Sequence, residues 1–171
     1  IKGAVLQTVV QQEDGATSFT ASGTNDVIML ASNAADSSSH LSLSITPKSA
    51  NSKILLTSCV FHEVNNTGSQ STLWSFYRDS TKLAAPIAGS RRSGIGQTAI
   101  GFYTADAAST ADVVNYHYYD SPNTTSAITY SVSFNHTISG TVLYLNRTVA
   151  DQSSSGYERG ISILIAQEIG G

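Results

Sequence analysis

Residues 128–134 read Ile-Thr-Tyr-Ser-Val-Ser-Phe, four apolar side chains alternating strictly with three hydroxyls. A period of two is the repeat of a strand. It predicts Ile128, Tyr130, Val132 and Phe134 on a core face and Thr129, Ser131 and Ser133 toward water. Upstream, Val114, Tyr116 and Tyr118 share one face, with Asn115 and His117 opposite. The linker 120–127 contains Pro122, which cannot donate to a ladder, and Asp, Ser and Asn residues that bond locally to the backbone. Residues 113–134 therefore read most economically as two antiparallel strands with a long connection, and a chain built around them is a sheet protein.

Alternation and short β-prone apolar runs predict strands over 4–10, 27–30, 41–46, 54–64, 72–78, 98–103 and 142–145. A final one follows where Ile161, Ile163 and Ile165 alternate with Ser162 and Leu164. Pro47 ends the third of these. In 54–64, Ile54, Leu56 and Val60 face one way and Leu55, Cys59 and Phe61 the other. Apolar residues on both faces suggest a strand covered on both sides, by a second sheet and by a neighbouring subunit. Residues 105–111 are too short and too interrupted by Ser109 and Thr110 to nucleate a helix. Eight to ten short strands without a helix indicate one all-β domain over 1–171, an antiparallel β-sandwich or jelly roll.

Only 12% of the 171 residues are charged, about half the usual share. Twenty-seven serines and 18 threonines fill the difference, giving the neutral, polar surface common in assembling or extracellular chains. The net charge of −3, with no basic block beyond Arg91-Arg92, leaves nothing to grip a phosphate backbone, so nucleic acid is not an expected partner. No apolar run is long enough for a membrane-spanning helix. Cys59 is the only cysteine; it excludes an internal disulfide and is expected as a small buried hydrophobe. Without an initiator Met or leader pattern, the chain reads as a processed product or the C-terminal part of a longer one.

Four histidines, His40, His62, His117 and His136, lack the spacings that commit two side chains to one ion, so neither a metal nor a cofactor is expected. There is no Gly-x-Ser-x-Gly elbow and no complete dinucleotide fingerprint around Gly94. Asp106, Asp112, Asp120 and Asp151 lie in or near loops and are the carboxylates a glycosidase would need, yet their number is ordinary for solvated loops. Four Asn-x-Ser/Thr triplets, at Asn65, Asn123, Asn135 and Asn146, are close to what chance gives in so hydroxyl-rich a chain. Among the tyrosines, Tyr116 and Tyr130 read as core residues. Recognition is expected instead on two loops, 86–96 and 151–159. They combine glycine or serine with Arg91, Arg92, Tyr157 and Arg159, the candidate binding residues. Arg91 and Arg92 suit an acidic sugar or phosphate-bearing group through paired N–H donors. The competing reading has Arg92 or Arg159 paired with a carboxylate of a neighbouring protomer.

Several short motifs occur in a fixed order: Gly3-Ala-Val-Leu-Gln-Thr-Val, Ile45-Thr-Pro followed by Ser52-Lys-Ile-Leu, Arg78-Asp-Ser-Thr, and Tyr119-Asp-Ser-Pro with Thr125-Ser-Ala-Ile-Thr-Tyr. Leu145-Asn-Arg and Arg159-Gly-Ile-Ser complete the set. Over nearly the whole chain this resembles a β module of tail-fibre and other virion structural proteins of tailed bacteriophages, especially marine ones. The resemblance implies a jelly-roll-like homotrimer on the virion surface, with other virion proteins and a host cell-surface glycan or protein as partners. It implies host attachment or assembly in the virion. The leading reading is a non-enzymatic receptor-binding or fibre-tip domain, with a capsid decoration protein as the nearest alternative and a carbohydrate-active hydrolase as the alternative of another class. The shared motifs look like turns and strand ends, so the resemblance assigns no catalytic residue.

Overall fold

The computed structural model describes residues 2–65, 72–98 and 108–171. Twelve strands are formed among them, with one 3-10 turn at Ala31–Asn33 and no α-helix. In chain order they are β1 (Val5–Glu13), β2 (Thr17–Thr20), β3 (Val27–Ile28), β4 (Ser42–Ile45), β5 (Lys53–Val64) and β6 (Leu73–Arg78). There follow β7 (Thr81–Leu83), β8 (Gly96–Gln97), β9 (Asp112–Asp120), β10 (Ile128–Asn135), β11 (Val142–Leu145) and β12 (Ser162–Ile169). Most of the strand expected over 98–103, the interval 105–111 and Asp106 lie outside the described residues or at their margin.

All pairings are antiparallel and fall into two sheets. In the first, β5 is central: β9 runs along one edge, β12 and then β11 along the other, with β1 outside β12 and β2 outside β11. In the second, β10 is central, between β6 on one side and β3 with β4 on the other; β7 and β8 extend β6. The fold is all-β and sandwich-like.

The core lies between the sheets. Ile54, Leu56, Val60, Leu143, Leu145 and Leu164 come from the first; Trp74, Phe76, Tyr130, Val132 and Phe134 from the second. Aromatic rings fill the gap edge to face and tilted, with Phe76 4.6 Å from Tyr116 and Trp74 5.8 Å from Phe134. Each fully buried large side chain here contributes about 1.5–3 kcal/mol of transfer free energy. The β6–β7 hairpin closes through Asp79-Ser80, with Asp79 at φ +50 and its Oδ1 accepting the Thr129 N–H at 2.9 Å.

Several expectations are corrected. Strands β9 and β10 do not pair with each other: β9 pairs β5 and β10 pairs β3, β4 and β6. Their connection crosses from one sheet to the other, and Tyr116 and Tyr130 meet the core from opposite sides. The linker 121–127 is long enough to cover the ~10 Å between packed sheets, so length alone never required a hairpin. Ser131 and Ser133 are buried: β10 is flanked on both edges, and each serine has one large cross-strand neighbour, Tyr77 and Ile28 respectively. Ser133 bonds Ser75, and Ser131 bonds Ser42. Cys59 is half-buried on the outer face of the first sheet, not in the core. The alternation expected for the last strand is present in β12, with Ser162, Leu164, Ala166 and Glu168 inward and Ile163, Ile165 and Ile169 outward.

Carboxylates fasten the loops. Glu63 accepts the Thr110 N–H at 3.0 Å and the Val149 N–H at 2.8 Å, tying the approach to β9 to the exit from β11. Glu13 accepts from Gly15 and His40. Glu168 is fully buried: burial raises its pKa, but donors including the Gln7 amide (2.6 Å) and the Lys48 N–H (2.8 Å) outweigh that and hold it below its usual value. Gly160 lies against Phe61, where an added Cβ would stand 2.3 Å from the ring.

Candidate binding clefts

The outer face of the second sheet carries a compact polar cluster centred on Asp26. Its carboxylate accepts from the Tyr77 hydroxyl (2.8 Å), the Lys82 ammonium (2.8 Å) and the Asn135 amide (2.6 Å). Burial first, then the bond to Asp26 and its charge, push the Tyr77 phenol up to about 12, so it remains a donor. Asn135 in turn accepts from Arg92 Nη1 at 2.8 Å. This chain of bonds fixes the floor of a cleft of about 380 Å³ lined by Lys82, Arg91, Arg92, Ser93, Asn135 and Ile87 among others.

The loop that carries Arg91 and Arg92 is held at its base. Ala85 N–H donates to Gly94 O, and Ile95 N–H to Trp74 O at 2.7 Å. Gly94 packs so closely that a Cβ would fall 2.4 Å from Leu73 and 2.8 Å from the Trp74 carbonyl, so only glycine lets the loop return here. Arg91 is exposed and donates to the Ala88 carbonyl at 3.2 Å. Among the described residues no carboxylate pairs with it.

Tyr157 and Arg159 line a different cleft of about 550 Å³, with Asp151 and Gln152–Ser155, and the two clefts share no residue. Here the arginine is matched within the chain. Asp151 takes two bonds from Arg159, through Nε at 2.8 Å and Nη2 at 2.5 Å, and lies 3.7 Å from Arg147. Arg147 also stacks 4.8 Å from the Tyr144 ring and donates to the Thr148 and Val149 carbonyls. The four candidate residues thus fall in two places: a cleft rich in cations and a cleft neutralised by its own aspartate.

Strand direction places both clefts in one half of the molecule. Val5 pairs with Ile169, and the opposite ends of those strands, Glu13 and Ser162, lead toward the 151–159 loop. Leu73 and Asn135, beside the Arg91 loop, also lie at the end away from Arg78, Asp120 and Ile128. Both clefts are therefore remote from the two termini.

Of the loop carboxylates among the described residues, Asp112 and Asp120 lie at opposite ends of β9. Asp120 is buried near the terminal end, accepting from Arg78 Nη1 (2.9 Å to each oxygen) and the Tyr130 hydroxyl (2.6 Å). Burial, then the bond to Asp120, raises the Tyr130 phenol well above its usual value. Asp112 sits opposite His62 at the other end, its carboxyl raised by burial. Among the described residues no three potential metal ligands come together. His62 is buried and neutral, pushed down to about 4 by burial. Its Nδ1 meets the Val60 carbonyl at 3.2 Å, so Nε2 accepts from Thr98 at 3.1 Å, and Thr98 accepts from the Trp74 indole at 2.9 Å. Asn135 and Asn146 are buried with their amides engaged, which removes two of the four triplets as sugar acceptors in the folded protein.

The cleft floor had no sequence signature. Asp26, Tyr77, Lys82 and Asn135 come from separate segments, and no spacing links them. No protein-family model matches this sequence, and comparison with curated proteins finds no significant match.

Proposed function

We propose that this chain is a non-enzymatic virion structural domain, the trimeric, jelly-roll-like tip of a tail fibre, that attaches the particle to an anionic group on the host surface. The observation that carries attachment is the unmatched Arg91 guanidinium beside Arg92 and Lys82, over a floor immobilised by Asp26 and Asn135. Guanidinium donors over a fixed floor suit a carboxylate or phosphate, which takes paired N–H bonds. The position of the clefts, away from both termini, supports a domain fastened at one end and binding at the other. The assignment to a virion rests on the ordered motifs that resemble phage fibre modules.

The test is binding of the intact protein to host cells and to a polyuronate, with polymer length followed in parallel. Arg91→Glu is expected to weaken binding about tenfold or more, with the melting point unchanged, and added salt should weaken the wild type in the same direction. Tyr157→Ala is the companion variant for the second cleft. Unaltered binding by Arg91→Glu would remove the cationic cleft from the proposal. Shortened polysaccharide would replace attachment with hydrolysis.

A further inference from the structure

The outer face of the first sheet is formed by four neighbouring strands, β9, β5, β12 and β1, in register. Across it run the rows Asn115–Cys59–Ile163–Gln12, His117–Thr57–Ile165–Val10 and Tyr119–Leu55–Gln167–Thr8. Lys53–Ile169–Val5 lies at the terminal end and Val113–Phe61 at the other. Antiparallel sheets that face water are normally polar on that side. Here, of the seven large hydrophobic residues most exposed among those described, Val5, Val10, Val113 and Tyr119 lie on this face and Ile161 continues its parity at the rim. Half-buried Leu55, Ile163, Ile165 and Ile169 fill the middle. The only ionisable nitrogen groups in these rows are Lys53 and His117, and there is no carboxylate.

We infer that this face is where copies of the chain meet, packed around a three-fold axis that runs along the strands. The inference rests on the trimeric reading above and gives it a surface. A charged partner would need countercharges that the face does not offer, whereas a second copy supplies the same neutral mixture of isoleucine, valine, threonine and glutamine. The width of the face fits that three-fold reading better than a four-fold one. Four strands at about 4.8 Å span about 19 Å, and three such sides form a prism whose walls stand about 5.5 Å from the axis, close to half the ~10 Å at which sheets pack. Four sides would stand about 9.6 Å away and leave the centre unfilled. The 151–159 loop, whose end at Gly160 covers Phe61, marks where the packed face stops. That leaves the Arg91 cleft, on the other sheet, open to the outside.

The experiment is sedimentation of the intact protein at micromolar concentration, combined with the rate of maleimide labelling at Cys59, which lies within the face. A trimer with Cys59 protected is expected. Val10→Lys with Tyr119→Lys, two exposed positions, should release monomers that keep their fold and label at least about tenfold faster. Ile87→Lys, exposed elsewhere, should stay trimeric. A trimer that survives the double substitution with Cys59 still protected would overturn this face and leave the trimeric reading intact. A wild-type monomer would overturn both, and a dimer would overturn the three-fold packing.

Discussion

The outer faces of the two sheets are built from the same kind of strand and finished in opposite ways. The second sheet closes its face with its own side chains: Asp26 gathers Tyr77, Lys82 and Asn135, and small serines lie beneath. The first sheet leaves valine, isoleucine and tyrosine facing outward over four strands. A face satisfied by internal hydrogen bonds gains nothing from a neighbour, whereas an apolar face gains from every contact that removes water. The contrast separates a surface free to carry a ligand cleft from a surface suited to assembly.

The core common to both sheets sets the largest expected effect. His62, from the first sheet, is bonded through Thr98 to Trp74 of the second. Its folded pKa of about 4 lies below the ordinary 6.5, so the unfolded chain takes up the proton first as pH falls. The stability due to neutral His62 is complete above 6.5 and is lost between 6.5 and about 4, a total of about 3 kcal/mol. Urea unfolding across that range should show the slope, and His62→Gln, which cannot titrate, should flatten it. A slope unchanged by the substitution would place the acid sensitivity elsewhere.

On the closed face, Asp26→Ala strips the acceptor from three donors and is expected to cost about 2 kcal/mol, read as a lowered urea midpoint. A loss within about 0.5 kcal/mol would show the cluster to be ornamental, and the two faces less different than their bonding suggests. The smallest effects compare like with like. Ser131→Asp on the second sheet buries a charge at a position 4% exposed and should cost about 1–2 kcal/mol. Thr8→Asp on the open face, measured on the dissociated chain, should change stability by about 0.5 kcal/mol or less. Equal losses would mean that the first sheet's face is as closed as the second's.

Much of this was legible in the chain because alternation reports which side a residue takes. Ile128, Tyr130, Val132 and Phe134 are buried as their spacing predicts, and Ile54, Leu56 and Val60 face opposite to Leu55, Cys59 and Phe61. Alternation does not name a strand's partner, which is why β9 and β10, neighbours in sequence, fell in different sheets. Nor does it distinguish a polar face exposed to water from one buried within the sheet, as at Ser133 between Ile28 and Ser75. The arginine loops were visible from composition. What separates them was not: Arg159 is neutralised by Asp151 eight residues away, while the floor under Arg92 is assembled from residues as far apart as Asp26 and Asn135. Such contacts depend on the tertiary path of the chain and leave no local pattern.

The antiparallel pairing of the first and last strands, with Val5 opposite Ile169, makes the domain mechanically directional. Tension applied between the two termini would open the β1–β12 ladder from that pair onward, one rung at a time, because the bonds lie across the strands and only the leading one bears the load. Tension between the N terminus and the 151–159 loop pulls the same two strands past each other, so their rungs resist together. Only a load entering through the 151–159 loop, with the N terminus held, would meet that second, stiffer direction.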